Sequence, residues 1–318
     1  MIWDLFHIAT GLVLLVIAGD LLVRGAVNLS LRLGIPALIV GLTVVAFGTS
    51  APELMVSVAA VLDHAPGIAL GNVVGSNTAN ILLVLGIPAI ISVIRTDEND
   101  LRKSYLTMLG AALLFIVICY LGPIRWPQAL ILLGALGLML WDQITDAMAH
   151  RACRSEAEDL EGADPQMPWR RIVLFLGLGL VGLPLGADFL VDGATSIARF
   201  YGISETVIGL TLVAVGTSLP ELATSITAAL KGRADVALGN VVGSNIFNLL
   251  CIVGVAGLIG PMPVPAQMLR LDLWVMLGAS LLMAPFIFYR WPFRRMVGFG
   301  FVGLYAIYLI VLMSGAEA

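Results

Sequence analysis

The stretch Gly48-Thr49-Ser50-Ala51-Pro52-Glu53 occurs again as Gly216-Thr217-Ser218-Leu219-Pro220-Glu221. Each copy lies inside a long apolar run, so each places a carboxylate at membrane depth. An ionisable group there is expensive and marks a functional site by default. Glu53 follows Thr49 by four residues and Ser50 by three, which lets all three share one helical face. In the next apolar run Asn72, Ser76 and Asn80 are spaced by four, as are Asn240, Ser244 and Asn248 in the second copy. Pro52 and Pro220 lack an N–H and crowd the preceding turn, so each run should break just before its proline. That break should leave backbone carbonyls around 46–49 and 214–217 short of partners. Irregular backbone is tolerated at this depth only when it is buried or lines a wet cavity.

Brought together, the two copies offer two carboxylates, hydroxyls, amides and loose carbonyls, with no His and no Cys. All-oxygen ligation suits Na⁺ and Ca²⁺ rather than Zn²⁺ or copper. Two Glu plus carbonyls and hydroxyls can reach the six to eight oxygens that Ca²⁺ prefers. The competing structural reading, a buried ion pair, lacks a cationic partner nearby in sequence.

The elements that must position these groups follow from composition. The 318 residues are 59% hydrophobic and 12% charged, with a mean hydropathy of +1.01. Apolar runs of about 20 residues recur throughout, the pattern of an all-α membrane protein. Ten spans fit, with approximate limits 5–29, 35–62, 67–93, 104–121, 127–149, 171–198, 203–230, 235–259, 271–289 and 296–314. The start, Met1-Ile2-Trp3-Asp4, has no basic segment, so the first run reads as a retained helix. Of the 17 Lys and Arg, 13 fall in odd-numbered loops and three (Arg125, Arg199, Arg270) in even ones. Basic residues favour the cytoplasm. The odd loops, including 150–170, are therefore expected to be cytoplasmic and both termini outside.

Residues 34–86 align without a gap on 202–254 at a constant offset (217 − 49 = 168), with about half the positions identical. Thr43 matches Thr211, and Gly71-Asn72-Val73-Val74-Gly75-Ser76-Asn77 matches Gly239-Asn240-Val241-Val242-Gly243-Ser244-Asn245. Upstream, Asp20 and Gly25 match Asp188 and Gly193. The organisation expected is a first five-helix repeat over 1–150, a cytoplasmic linker over 151–170 and a second repeat over 171–318. Five is odd, so the second repeat must enter the membrane inverted. Such repeats point to a transporter with its site at the midplane.

Other residues read more plainly. The Gly71/Gly75 and Gly239/Gly243 spacings suit close helix packing. Ser57 and Ser225 are expected to bond back within their own helices. Asn72, Asn77, Asn240 and Asn245 suit either a site or hydrogen bonds between helices. Asp20 has Arg24 four residues on, Asp188 has Asp192, and both read as structural. His64 reads as a surface turn residue. Cys119, Cys153 and Cys251 have no metal-ligand spacing and read as packing.

The paired GTSxPE and GNxxGSNxxN segments, in the same order in both halves, resemble the calcium/cation antiporter superfamily, which includes the sodium/calcium exchangers. With the ten-span layout, the resemblance covers the whole chain. It implies that Thr49, Ser50, Glu53, Ser76 and Asn80 join Thr217, Ser218, Glu221, Ser244 and Asn248 as ion ligands, with the carbonyls of Ala46 and Ala214. It also implies that the first and sixth helices slide across a four-helix core. One departure is Asn248, where some archaeal and potassium-dependent members carry Asp. This leaves two carboxylates and puts K⁺ co-transport in doubt. The linker is also too short for a calcium-sensor domain.

The function expected is Ca²⁺ export against Na⁺ entry at one shared carboxylate site, in the cell membrane of a bacterium or archaeon. The physical logic is competition, since buried carboxylates must be neutralised before the helices slide. Protons can neutralise them too, so an H⁺-coupled cation exchanger is the alternative. A passive channel fits poorly, because two inverted halves build one occluded site rather than a ring of charge. An enzyme fits poorly because Ser50 and Ser218 have no base in the helical core. The expected partners are the metal ions, as cargo and not cofactors, and the lipid bilayer. Nothing points to nucleic acid, and no protein partner can be inferred.

Overall fold

The computed structural model describes residues 2–35, 37–96, 101–151, 164, 166–201 and 214–315. These are helical, without a β-strand among them. In chain order they form α1 (Ile2–Leu33), α2 (Ala37–Thr49), α3 (Ala51–Leu62), α4 (Pro66–Ile91), α5 (Arg102–Tyr120), α6 (Trp126–Arg151) and α7 (Trp169–Phe200). Then follow α8 (Ala214–Thr217), α9 (Leu219–Leu230), α10 (Ala234–Ile259), α11 (Met268–Phe288) and α12 (Arg295–Gly315). Among the described residues eight helices are long and apolar enough to cross a bilayer, and the bent pair α2/α3 makes a ninth span. The expected span at 203–230 is represented by α8 and α9. Its first part, with Thr211, lies outside the described residues, as do Cys153 and most of the 151–170 linker.

The 168-residue offset (217 − 49) reappears in three dimensions. Adding it to the limits of α3 and α4 gives those of α9 and α10. The first helix of each half, α1 and α7, pack on one another along their length. A Cβ on Gly11 would lie 2.7 Å from the Gly186 carbonyl, one on Gly179 2.7 Å from Leu22, and one on Gly193 2.6 Å from the Asp4 carbonyl. Only glycine permits this backbone approach, and the pairing shows the two helices antiparallel. The bilayer-depth contacts are thus made by small residues rather than by interlocking side chains.

The core is formed by α4 and α10, flanked by α5. Leu70, Val74, Ile81 and Leu85 of α4 are buried with Leu238, Val241, Val242 and Leu249 of α10, and with Tyr105, Met108 and Phe115 of α5. Tyr105 donates its hydroxyl hydrogen to the Ser280 carbonyl of α11 at 3.0 Å. Outer faces such as Leu12, Val13, Val16 and Ile17 of α1 stay exposed, as a lipid solvent allows. Two short backbone clips join the halves. Ile94 pairs with Phe293, and Ile124 with Met262. Each clip joins two odd-numbered or two even-numbered loops, the pairing required if every span crosses once.

Candidate ion-binding site

The two runs break just before their prolines, as expected. The chain breaks at Ser50 (φ −84°, ψ 6°) and Ser218 (φ −88°, ψ 4°), and Pro52 and Pro220 fall in the first turn of α3 and α9. There a missing N–H costs nothing, because first-turn amides have no helical partner. The bend between α2 and α3 is 42°. π-helical turns lie beside or within the polar positions: Gly41–Val45 just before Ala46, Asn80–Val84 starting at Asn80, and Phe247–Ile252 containing Asn248. Such turns re-aim side chains and recur at functional sites.

The expectation of loose carbonyls needs correction at Ala46. Its oxygen accepts the Ser50 amide at 3.0 Å and the Thr49 hydroxyl at 3.3 Å. The break at Ser50 keeps the preceding turn intact, so the carbonyl retains a backbone donor. In the second half the Ser218 amide donates instead to Val215, at 3.1 Å, rather than to Ala214.

Glu53 is 1% exposed and Glu221 0%. The carboxylates are close enough to act on each other electrostatically, so both sit in one site. Neither has an ion pair among the described residues. Ser50 of the first half donates to Glu221 Oε1 at 3.0 Å, and Thr49 and Ser244 face the same carboxylate. Thr49 also donates to Asn240 Oδ1 at 3.1 Å. Asn80 Nδ2 donates to Asn245 Oδ1 at 3.1 Å. Buried oxygens left without a hydrogen-bond partner include both of Glu53, Oε2 of Glu221, Oγ of Ser218 and Ser244, and Oδ1 of Asn77, Asn80 and Asn248. A buried unpaired carboxylate oxygen is costly, and this set is the donor chemistry of a hard cation. No group of three His, Cys, Asp or Glu side chains able to hold a metal occurs among the described residues.

All twelve expected ligand residues lie on the broken helices and on α4 and α10, and the contacts above join Thr49, Ser50, Glu221 and Ser244 directly. Ala214 and Thr217 sit on α8 beside the break.

Two readings change. Ser57 and Ser225 are tied to the neighbouring helix: Asn72 Nδ2 donates to Ser57 Oγ (3.0 Å) and to the Glu53 carbonyl (3.2 Å). Asn240 Nδ2 repeats this with Ser225 Oγ (3.3 Å) and the Glu221 carbonyl (3.3 Å). Each Asn thus fixes the backbone of its own half's glutamate. The signal in the sequence was the constant 19-residue separation of Glu and Asn in both copies. Close packing holds for Gly239 and Gly243, where a Cβ would lie 2.8 Å from the Leu38 carbonyl and 2.6 Å from Ala46 Cβ. It is not seen at Gly71 and Gly75, which face open space; the counterparts of Leu38 and Leu42, residues 206 and 210, lie outside the described residues. Asp20 pairs with Arg24 at 2.9 Å as expected, and also with Lys231. His64 is an exposed turn residue with φ 58°.

A family model described as "Sodium/calcium exchanger protein" matches residues 3–145 and 171–314. The chain is 34% identical over 338 residues to the sodium/calcium exchanger MaX1 of Methanosarcina acetivorans, covering 95% of this chain and 96% of that one. It is 36% identical over 310 residues to the inner membrane protein YrbG of Escherichia coli, covering 95% and 94%. A solved structure of the sodium-calcium exchanger NCX_Mj superposes with a TM-score of 0.83 at 34% identity, covering 98% of each chain.

Proposed function

Because the chain belongs to the sodium/calcium exchanger protein family, we propose that it exchanges Ca²⁺ for Na⁺ across a prokaryotic cell membrane by alternating access at the Glu53/Glu221 site. The observation that carries this reading is a pair of buried carboxylates with unpartnered oxygens and no cationic side chain. Two negative charges at membrane depth hold only when compensated, and one Ca²⁺ or several Na⁺ can do so. The ligands are Thr49, Ser50, Glu53, Ser76, Asn80, Thr217, Ser218, Glu221, Ser244 and Asn248, with the carbonyl of Ala214. Asn72 and Asn240 hold the glutamate backbones in place.

The architecture in this proposal is ten spans in two inverted five-helix repeats, 1–150 and 171–318. The 151–170 linker is cytoplasmic and both termini are outside. The antiparallel α1/α7 pair, the matched limits of α3/α9 and α4/α10, and the two clips between loops of equal parity support it. When the charges are compensated the long pair α1/α7 slides across the core. When they are not, the desolvation penalty opposes occlusion, and this couples the two ion flows.

The test is Ca²⁺ uptake into inverted vesicles driven by a Na⁺ gradient or by a pH gradient. Uptake that follows the Na⁺ gradient and disappears in Glu53→Gln and Glu221→Gln is expected. Uptake driven by pH alone would replace Na⁺ by H⁺ as the counter-ion. Uptake indifferent to either gradient would make the protein a passive pathway.

A further inference from the structure

Asp20, on α1, takes two cations at once. Arg24 Nε lies 2.9 Å from one carboxylate oxygen, and Lys231 Nζ lies against the other. Lys231 follows α9, so this ion pair ties the long helix to the end of the second half's broken span. The Lys231 side chain is 18% exposed and that of Asp20 32%, which places the pair at a partly wet edge. Beside it α1 rests on α9, where a Cβ on Gly19 would lie 2.9 Å from Thr227 Oγ1.

The offset of 168 (217 − 49) assigns each of these residues a counterpart in the other half. Asp20 corresponds to Asp188, Arg24 to Asp192, and Lys231 to Asp63. One anion with two cations on one side answers to three anions on the other. Asp188 and Asp192 stand close enough to repel each other, and none of the three has an ion pair with another described residue. The matching helix contact is also missing. Where α1 covers α9, α7 leaves the face of α3 uncovered, and Met55 there is 73% exposed.

We propose that Asp20, Arg24 and Lys231 form an electrostatic latch that favours the conformation seen here over its mirror, in which α7 would cover α3. The proposal rests on the alternating-access reading. In the mirror state Asp188 would be brought to Asp63 as Asp20 is now brought to Lys231, and like charges would meet where opposite charges now do. Two halves with nearly identical ion-site residues thereby have unequal closing energies. A largely buried ion pair at the end of a helix supports an effect of about fivefold on the ratio of the two states.

The test uses the full-length protein in lipid, with Cys119, Cys153 and Cys251 replaced. Ala59 and Ala187 are the counterparts of Thr227 and Gly19, so Ala59→Cys with Ala187→Cys forms a disulfide in the mirror state. Lys231→Gln, which opens the latch, and Asp63→Lys, which builds a mirror latch and leaves the first intact, are both expected to speed this cross-linking about fivefold. Lys231→Arg should leave it unchanged. An unchanged rate in Lys231→Gln and Asp63→Lys, or no cross-link in any variant, would overturn the proposal. The readout needs no ion exchange, so its failure leaves the Na⁺-driven uptake result standing, and failure of that uptake leaves the cross-linking result standing.

Discussion

Ser50 donates to Glu221 across the boundary between the halves, whereas its counterpart Ser218 has no hydrogen-bond partner and neither has the carboxylate of Glu53. Asn80 donates to Asn245, yet the counterpart Asn248 leaves both its amide atoms unpaired, and so is Oδ1 of Asn77. Gly239 and Gly243 are packed under α2, and Gly71 and Gly75 are open. At each of these points the first half reaches into the second, and among the described residues no matching contact is made in return; residues 202–213, the counterparts of most of α2, lie outside them. The residues compared are the same in both halves, so their chemistry does not cause the difference. Under the proposed alternating access, the two halves would exchange which set of contacts is made.

Substitutions at matched positions test this comparison, and the largest effects should be the symmetric ones. Glu53→Gln and Glu221→Gln should each abolish exchange, a fall of about a thousandfold in Na⁺-driven Ca²⁺ uptake, since a site carrying one charge no longer balances its ions. Despite their unequal surroundings, the two should fail alike. Next is Asn240→Ala, which leaves the Thr49 hydroxyl only its Ala46 acceptor and removes the amide donor to the Ser225 hydroxyl and to the Glu221 carbonyl. It should lower thermal stability by about 2–3 kcal/mol, whereas Asn72→Ala, at a half-buried position, should cost about half as much.

Gly243→Ala would push a Cβ against the Leu42 backbone and the Ala46 side chain, and should destabilise by about 2 kcal/mol. Gly75→Ala should leave stability within about 0.5 kcal/mol but slow exchange, because the opposite state packs that glycine. The smallest difference is expected at the serines. Ser50→Ala removes a hydrogen bond to a carboxylate, worth about 1.5 kcal/mol or roughly tenfold in apparent Ca²⁺ affinity. Ser218→Ala removes none that is made here, and its effect should be the lesser in Ca²⁺ titrations. Equal effects across the Asn, Gly and Ser pairs would mean that the asymmetry has no energetic weight.

Much of this was legible in the residues themselves. Proline is stereochemically restrictive, so GTSAPE and GTSLPE located the breaks to within one residue of Ser50 and Ser218. The repeat offset carried the limits of α3 and α4 onto α9 and α10. The buried carboxylates followed from their apolar surroundings. Other features were not legible, for identifiable reasons. Where proline falls relative to a break decides whether it kinks a helix or starts one, and the sequence pattern allows both. Ser57 and Ser225 can satisfy a hydroxyl within the helix or across to Asn72 and Asn240, and local spacing does not rank the two. The open Gly71 and packed Gly239 occupy identical heptapeptides. No reading of those residues distinguishes them, because the difference lies in what packs against them, α2 in the case of Gly239. The Lys231 partner of Asp20 is 211 residues away (231 − 20), beyond any local pattern.

The most direct test of the shared site is Ca²⁺ binding to the purified protein by calorimetry, with Na⁺ as competitor. One Ca²⁺ per chain, displaced by Na⁺ and lost in both Glu53→Gln and Glu221→Gln, is the predicted result. Ca²⁺ that binds undiminished beside saturating Na⁺, or that survives either substitution, would contradict a single site built from both halves.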